Sequence, residues 1–278
     1  MIVVKYFIAY FLRIIMAIPA FRNYYFGLYK KVIKPYSLFK NVVVKTKHQG
    51  IIFQLHLNDW IAQNIYFLRS YEKPELAYFK SQLKPNSVFI DIGANIGLYA
   101  LNAAKVCLQG KVYAFEPFKI NSKALLNNAH LNGLNIIWFD KAVSNHNNSL
   151  NLFYSESQQN LGAVSILNTG GQQFTVQATT LDAFVSEQQI DKIDFIKLDI
   201  EGSELAALEG MRYVLQQYNL QLMVEIDLEI LAGLAHNAAD IHNYMATLKY
   251  KAYYLQADGL LTEHANLAVS KNVIFKRS

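Results

Sequence analysis

Five carboxylates in this chain sit at the ends of short apolar runs. Asp91 lies in Val88-Phe89-Ile90-Asp91-Ile92, Glu116 follows Lys111 to Phe115, Asp199 and Glu201 follow Ile193 to Leu198, and Glu225 lies in Val224-Glu225-Ile226. In parallel sheets covered by helices, ligands bind beyond the carboxyl ends of the strands. An acid at the end of the second such strand can accept both hydroxyls of a ribose, as in dinucleotide-binding folds. Two close carboxylates such as Asp199 and Glu201 raise one another's pKa, which suits a general base. With Glu225 the same oxygens also suit a hard divalent cation, although no metal is expected here.

Residues 91–97 read Asp-Ile-Gly-Ala-Asn-Ile-Gly, a small-residue turn between a strand and a helix pattern. Without a Cβ, Gly93 and Gly97 let a ligand approach the backbone; Ala94 and Asn95 complete the turn. Counted from Gly93, the remaining positions of a Gly-x-Gly-x-x-Gly fingerprint hold Asn95 and Leu98. That departure disfavours a nicotinamide dinucleotide, whose pyrophosphate needs close backbone approach at the helix start. S-adenosylmethionine contains adenosine but no pyrophosphate. Asp91, Gly93, Ala94, Asn95 and Gly97 would face its amino-acid part, and Glu116 with Pro117 its ribose. Plainer readings stand beside these: Asp91 as a helix cap, Glu116 as a surface ion pair, and Asp199 as a strand end paired with lysines such as Lys197. Glu204 is explained by its place in the first turn of a helix. No histidine or cysteine cluster has zinc spacing. Neither a Gly-x-Ser-x-Gly elbow nor a P-loop is present.

The elements that must position these residues alternate. Strands are expected near 88–92, 111–115, 136–139, 193–198 and 221–226, with helices near 97–107, 119–132, 203–217 and 237–248, and final strands near 251–255 and 271–276. Such alternation indicates a mostly parallel sheet with helices on both faces. Upstream, 42–47 and 51–57 read as a hairpin, followed by helices at Asp59 to about Ser70 and Pro74 to Leu83. Residues 145–175, rich in Asn, Gln, Ser and Gly, break the alternation and read as an insertion, with strand pieces at 149–154 and 173–178, near the mouth of the site.

The 278 residues allow one large domain with an extension, and 53% apolar content supplies a large core. The single cysteine, Cys107, excludes an intrachain disulfide framework. The net charge of +5 is unevenly placed: residues 1–58 hold nine Lys/Arg and no acid, and the remainder carries a balance of −4. Nucleic-acid binding by the whole chain is therefore not expected. Two domains follow: an apolar, basic extension over 1–40, and a catalytic domain over 41–278, whose hairpin and helices (41–84) precede the core (85–278). Residues 1–18 are apolar except Lys5 and Arg13, and Pro19 interrupts the helix. Arg13 would cost about 2.5–3.5 kcal/mol at the centre of a membrane span, and it breaks the apolar core that a signal peptide needs. Two readings stand: an interfacial helix on an anionic membrane, with Arg22, Lys30, Lys31, Lys34 and Lys40 as a basic collar, or a helix packed on protein.

The ordered motifs together resemble the FkbM-type family of S-adenosylmethionine-dependent methyltransferases. They are Tyr71-Glu72, Asp91 to Gly97, Phe115-Glu116-Pro117, Thr180-Leu181-Asp182, Ile193 to Glu204, and Val224-Glu225-Ile226. The resemblance runs from about Gly50 to Asp227. It implies a Rossmann-like class I methyltransferase sheet of seven strands with the last antiparallel, and O-methylation of a sugar, glycan or related metabolite. By the same analogy Glu72 closes over the cofactor, and Asp140 and Ala142 border the adenine. Asp199 is the first candidate for the base, with Glu201 and Glu225 behind it. An active enzyme is expected in the cytoplasm, where its methyl donor is found, with the extension peripheral on a membrane face. An inactive membrane-associated scaffold and a nicotinamide-dependent oxidoreductase are the alternative readings.

Overall fold

The structure is a computed structural model that describes residues 2–154, 164–168, 170–256 and 258–277. The chain divides into two compact units, Met1–Lys73 and Pro74–Tyr154 with Val164–Ser278. Residues 41–73 thus group with the first forty. Among the described residues, no helix is long and apolar enough to cross a membrane.

In the first unit, helix α1 (Ile2–Ala17) is followed by two short turns, α2 (Pro19–Arg22) and α3 (Tyr25–Leu28). Pro19 occupies the first position of α2, where its fixed φ suits a helix start. Strands β1 (Val43–His48) and β2 (Ile51–His56) form the expected hairpin, with Val43 opposite His56. Gln49 and Gly50 turn it with φ of +51° and +83°, the pair of left-handed residues that matches the twist of two-residue hairpins. The helix expected over 59–70 has two parts. Asp59 caps α4 (Trp60–Gln63) by accepting from the Ala62 N–H at 2.8 Å, and the chain then widens into a π-helical turn at Asn64–Leu68. Arg69 ends it with φ +54°. Asn64, Ile65, Tyr66 and Phe67 are all buried there. Aromatic packing fills the unit: the Tyr29 and Trp60 rings lie 4.4 Å apart, and Tyr25 donates its hydroxyl to Gln63 Oε1 at 2.6 Å.

Helix α5 (Lys73–Gln82) opens the second unit. Then come β3 (Val88–Ile92), α6 (Leu98–Val106), β4 (Lys111–Phe115), α7 (Lys119–Leu131), β5 (Ile137–Phe139), β6 (Ala142–Val143), β7 (Ser149–Tyr154), β8 (Gln172–Thr179) and α8 (Leu181–Glu187). The chain continues through β9 (Phe195–Leu198), α9 (Glu204–Glu209), α10 (Arg212–Gln217), β10 (Gln221–Ile226), α11 (Leu228–Leu231), α12 (Ala238–Thr247), β11 (Tyr250–Leu255), β12 (Leu261–His264) and β13 (Lys271–Arg277). The main sheet runs β12-β11-β13-β10-β9-β3-β4-β5. Strands β5, β4, β3, β9 and β10 are parallel, and β13 lies antiparallel between β10 and β11. The seven expected strands are present, and β12 adds an eighth at the edge beyond β11.

Strand alternation splits the core. Ile90, Phe115, Ile196 and Val224 join one large cluster with Phe184, Leu208 and Ile241. Phe89 and Phe195 pack with Phe79, whose ring also meets Tyr99 at 5.2 Å. Burying such side chains stabilises the fold by roughly 1.5–3 kcal/mol each.

One expectation is revised and one extended. The helix over 203–217 is interrupted at Gly210 and Met211. A Cβ on Gly210 would lie 1.9 Å from the Ser144 carbonyl oxygen, so the chain presses backbone against backbone there. The two strand pieces expected in the insertion are present as the antiparallel pair β7 and β8, and β6, just before it, joins them parallel to β8. Residues 155–163 and 169 of that insertion lie outside the described residues.

Candidate active site

The sheet register brings the first charges together. Asp91 on β3 stands directly beside Lys197 on β9, and both are at most 2% exposed. Asp91 Oδ2 accepts the Ala100 N–H at 2.9 Å, so the acid does cap α6 from the neighbouring strand. Burial pushes its carboxyl up to about 7, with Lys197 pulling the other way and the Asp199 and Glu116 charges adding to the rise. Lys197 spans to Asp199, its Nζ 3.0 Å from Oδ2, and lies 5.3 Å from the centre of the Tyr99 ring. A lysine inside a buried strand is stable only when paired, and this one marks the site. The signal was one lysine interrupting the apolar run Phe195-Ile196-Lys197-Leu198.

The turn after β3 spends its donors on protein. The N–H groups of Gly93 and Ala94 both reach the Phe115 carbonyl at 3.0 Å, and that of Gly97 reaches the Ala94 carbonyl at 2.8 Å. The Asn95 N–H donates to Glu116 Oε2 at 2.7 Å. These donors are turned away from any phosphate, so they form no pyrophosphate cradle, consistent with the missing glycines. Gly93 is required for a reason other than ligand approach. A Cβ there would sit 1.8 Å from the Asp199 carbonyl oxygen, so the glycine lets the two loops touch through their backbones. Gly97, at φ +91°, is the residue before α6 in a left-handed conformation that favours glycine.

Glu116 is 5% exposed beyond the end of β4. It also accepts the Phe118 N–H on Oε1 at 2.9 Å. Burial raises its carboxyl to about 7, against the hydrogen bonds from Phe118, Asn95 and the Asn121 side chain. A carboxylate offers about four lone-pair sites, so with three bonds accepted Glu116 keeps one for a hydroxyl donor. Pro117 leads into α7. Past β5, Asp140 pairs with Lys119, and Ala142 lies on β6 opposite Ala178. Trp138 escaped the sequence reading. Its indole N–H donates to the Glu116 carbonyl at 3.1 Å, which fixes an aromatic ring beside the strand-end acid.

Asp199, Glu201 and Glu225 gather on the adjoining rim. Val224 pairs with Leu198, so the next residues, Glu225 and Asp199, are neighbours. Contrary to the rise expected from its closeness to Glu201, Asp199 is held below its ordinary value: burial opposes its charge, but the Lys197 ammonium and hydrogen bonds from Glu225 and Lys197 outweigh it. Glu225 shifts the other way, driven well up by the Asp199 charge and then by burial. The pair therefore shares one proton, held on Glu225. Glu201 sits at φ +52° in the turn; burial and then the charges of Asp199, Glu204 and Asp227 push it up to about 8. The Ser165 hydroxyl donates to the Glu201 carbonyl at 2.7 Å, tying the segment before β8 to this turn.

Other motif residues serve architecture. Glu204 Oε1 accepts the N–H groups of Ile200 and Gly202 at 3.2 and 3.1 Å, which closes the turn. Asp182 accepts those of Tyr213 and Val214, both at 2.9 Å, and fastens α10. Glu72 belongs to the first unit, near its boundary, with φ +45°.

A doubly wound sheet with one antiparallel strand wedged before its last parallel strand, and acids along its rim, resembles the class I methyltransferases. The family model described as "Methyltransferase FkbM domain" matches residues 91–252, and the chain belongs to the FkbM methyltransferase family. It is 26% identical over 156 residues to the hexuronic acid methyltransferase AglP of Haloferax volcanii, covering 56% of this chain and 62% of that protein. It is 27% identical over 165 residues to the methyltransferase sdnD of Sordaria araneosa, covering 48% and 64%. The matches thus span under two thirds of either relative. The crystal structure of the methyltransferase FkbM from Methylobacillus flagellatus KT aligns at 17% identity and a TM-score of 0.45, over 77% of this chain and 52% of that one.

Proposed function

We propose that the protein transfers a methyl group from S-adenosylmethionine to a hydroxyl of a sugar, glycan or related metabolite. The observation that carries this reading is the place of Asp199, at the end of β9 with its Oδ2 3.0 Å from the Lys197 ammonium and Glu225 beside it, on the same rim as the Glu116 turn. The donor set suits the cofactor: Glu116 keeps a lone pair for a ribose hydroxyl, the acids favour a cationic ligand, and the turn keeps no N–H cradle for phosphate. When bound, S-adenosylmethionine supplies a methyl group already activated on a sulfonium. Glu116 and the 91–97 turn hold and orient it. Asp199 accepts a hydrogen bond from the acceptor hydroxyl and takes its proton. Lys197 fixes the carboxylate in place, so alignment does much of the work. The similarity to a hexuronic acid methyltransferase supports a sugar acceptor. The reading places the enzyme in the cytoplasm with its methyl donor.

Calorimetry with S-adenosylmethionine and mass spectrometry of glycans and lipids from cells with and without the protein test this together. Asp199→Asn should bind cofactor within about twofold of the parent and lose about a hundredfold or more in turnover, the share of a general base. Absence of cofactor binding by the parent chain, or full turnover in Asp199→Asn, contradicts the proposal.

A further inference from the structure

Helix α1 is inverted relative to an ordinary surface helix. Its narrow polar arc faces its own unit. The Arg13 Nη2 donates to Thr46 Oγ1 at 2.8 Å, and its guanidinium lies 4.4 Å from the centre of the Tyr66 ring. Lys5 Nζ reaches the Lys40 carbonyl at 3.4 Å. Ala9 and Met16, on the same side, are buried. The rest of the helix is apolar and turned outward: Val3, Phe7 and Phe11 are each about 60% exposed, Ile14 and Ile15 are exposed as well, and so is Ile18 just past its end. Water gains nothing from such an arrangement, since burying apolar surface is what packs a helix.

Beside this face lies a depression of about 350 Å³ without a polar side chain in its lining. Phe7, Phe11 and Ile15 of α1 line it together with Leu28, Ile33 and Leu38. That size accommodates a hydrocarbon segment. Tyr24, Phe26, Val32 and Tyr36 extend the exposed apolar surface along the same stretch of chain. Exposed Lys30 and Lys31 stand among them, Lys30 with its Nζ 4.4 Å from the centre of the Phe26 ring.

Charge decides what covers the face. The first 58 residues hold nine basic groups and no acid. A second copy docked here would oppose two like-charged rims with nothing to neutralise them. An anionic lipid surface matches both features, accepting the apolar face among its acyl chains and the rim at its headgroups. The polar side of α1 is held against its own unit by Lys5 and Arg13, so the helix lies along the interface with its outward side inserted. We infer that α1 and residues 19–40 dock the protein on an anionic phospholipid bilayer, with the apolar side of α1 inserted and Lys30 and Lys31 at the headgroups.

Flotation of the full chain with phosphatidylcholine vesicles, alone or containing phosphatidylglycerol, tests this. The chain should float with the anionic vesicles, and raised salt should weaken the binding. Phe7→Asp with Phe11→Asp should cut partition on the order of a hundredfold, by the cost of carrying charge on an inserted face. Lys30→Gln with Lys31→Gln should cut it on the order of tenfold, and only on anionic vesicles. All four positions are exposed, so unchanged circular dichroism separates lost docking from lost folding. Equal binding to neutral and anionic vesicles, or no loss in the Phe7/Phe11 variant, overturns the proposal. So does a dimer in sedimentation equilibrium that the Phe7/Phe11 variant abolishes while vesicles are left unbound.

Discussion

Arg13 and Lys197 are both cations directed inward, one beneath a helix of the first unit and one within the sheet of the second. Arg13 is half-buried against a neutral hydroxyl and an aromatic ring. Lys197 is 1% exposed and stands among Asp91, Asp199 and Glu225. With no acid in its neighbourhood of sequence, Arg13 anchors: it fixes which side of α1 faces the protein and alters no neighbour's charge. Lys197 sets charge: it keeps Asp199 ionised and so leaves Glu225 to hold the shared proton. A buried cation therefore says little until its partners are known.

The largest expected effect comes from removing the sheet's cation. Lys197→Met leaves several acids uncompensated, and breaking a buried pair from one side costs about 3–5 kcal/mol. Urea unfolding should show a loss of that order; a loss below about 1 kcal/mol would mean the acids had simply taken up protons. A second, smaller effect follows pH. Asp91, Glu116 and Glu204 rise to about 7 and Glu201 to about 8 on folding, above ordinary values of 3.8 and 4.5. A carboxyl raised by folding stabilises the folded state fully below its ordinary value, and that stability is lost as pH rises through the folded value. The ligand-free protein should therefore melt at falling temperatures between pH 5 and pH 8 (about the span of those values). Glu116→Gln should flatten the slope, and a melting temperature that climbs over this range counts against these assignments. Smaller again, Arg13→Met should cost about 1–2 kcal/mol, the worth of one hydrogen bond to a charged group. Phe11→Ser, on the outward face, should stay within about 0.5 kcal/mol. A larger loss for Phe11→Ser than for Arg13→Met would reverse the orientation of α1.

Apolar runs alternating with helical patterns were enough to read the parallel sheet, because a strand buried on both faces has no other way to look. The acids of the rim were legible for the same reason: each ends such a run. What escaped depended on contacts distant in sequence. Gly210 reads as an ordinary helical glycine until the Ser144 carbonyl is placed against it. Lys197 reads as the partner of a strand end, and only the register beside Asp91 makes it central. The polar arc of α1 was visible, but periodicity reports that a helix has two faces without saying which is inward. β12, of four half-buried or exposed residues, carries too little apolar pattern to announce itself.

The meeting of Gly93 with the Asp199 backbone has a consequence for how such a protein diversifies. Two loops joined without side chains tolerate almost no drift, since any larger residue at position 93 collides with main chain rather than with something that can rotate aside. The half of the site that would take the methyl donor is thereby frozen by geometry. The segment before β8 meets the Glu201 turn through the Ser165 hydroxyl, a side-chain contact that can be exchanged more easily. Under the proposed function, a change of acceptor would be sought in that segment and not at position 93.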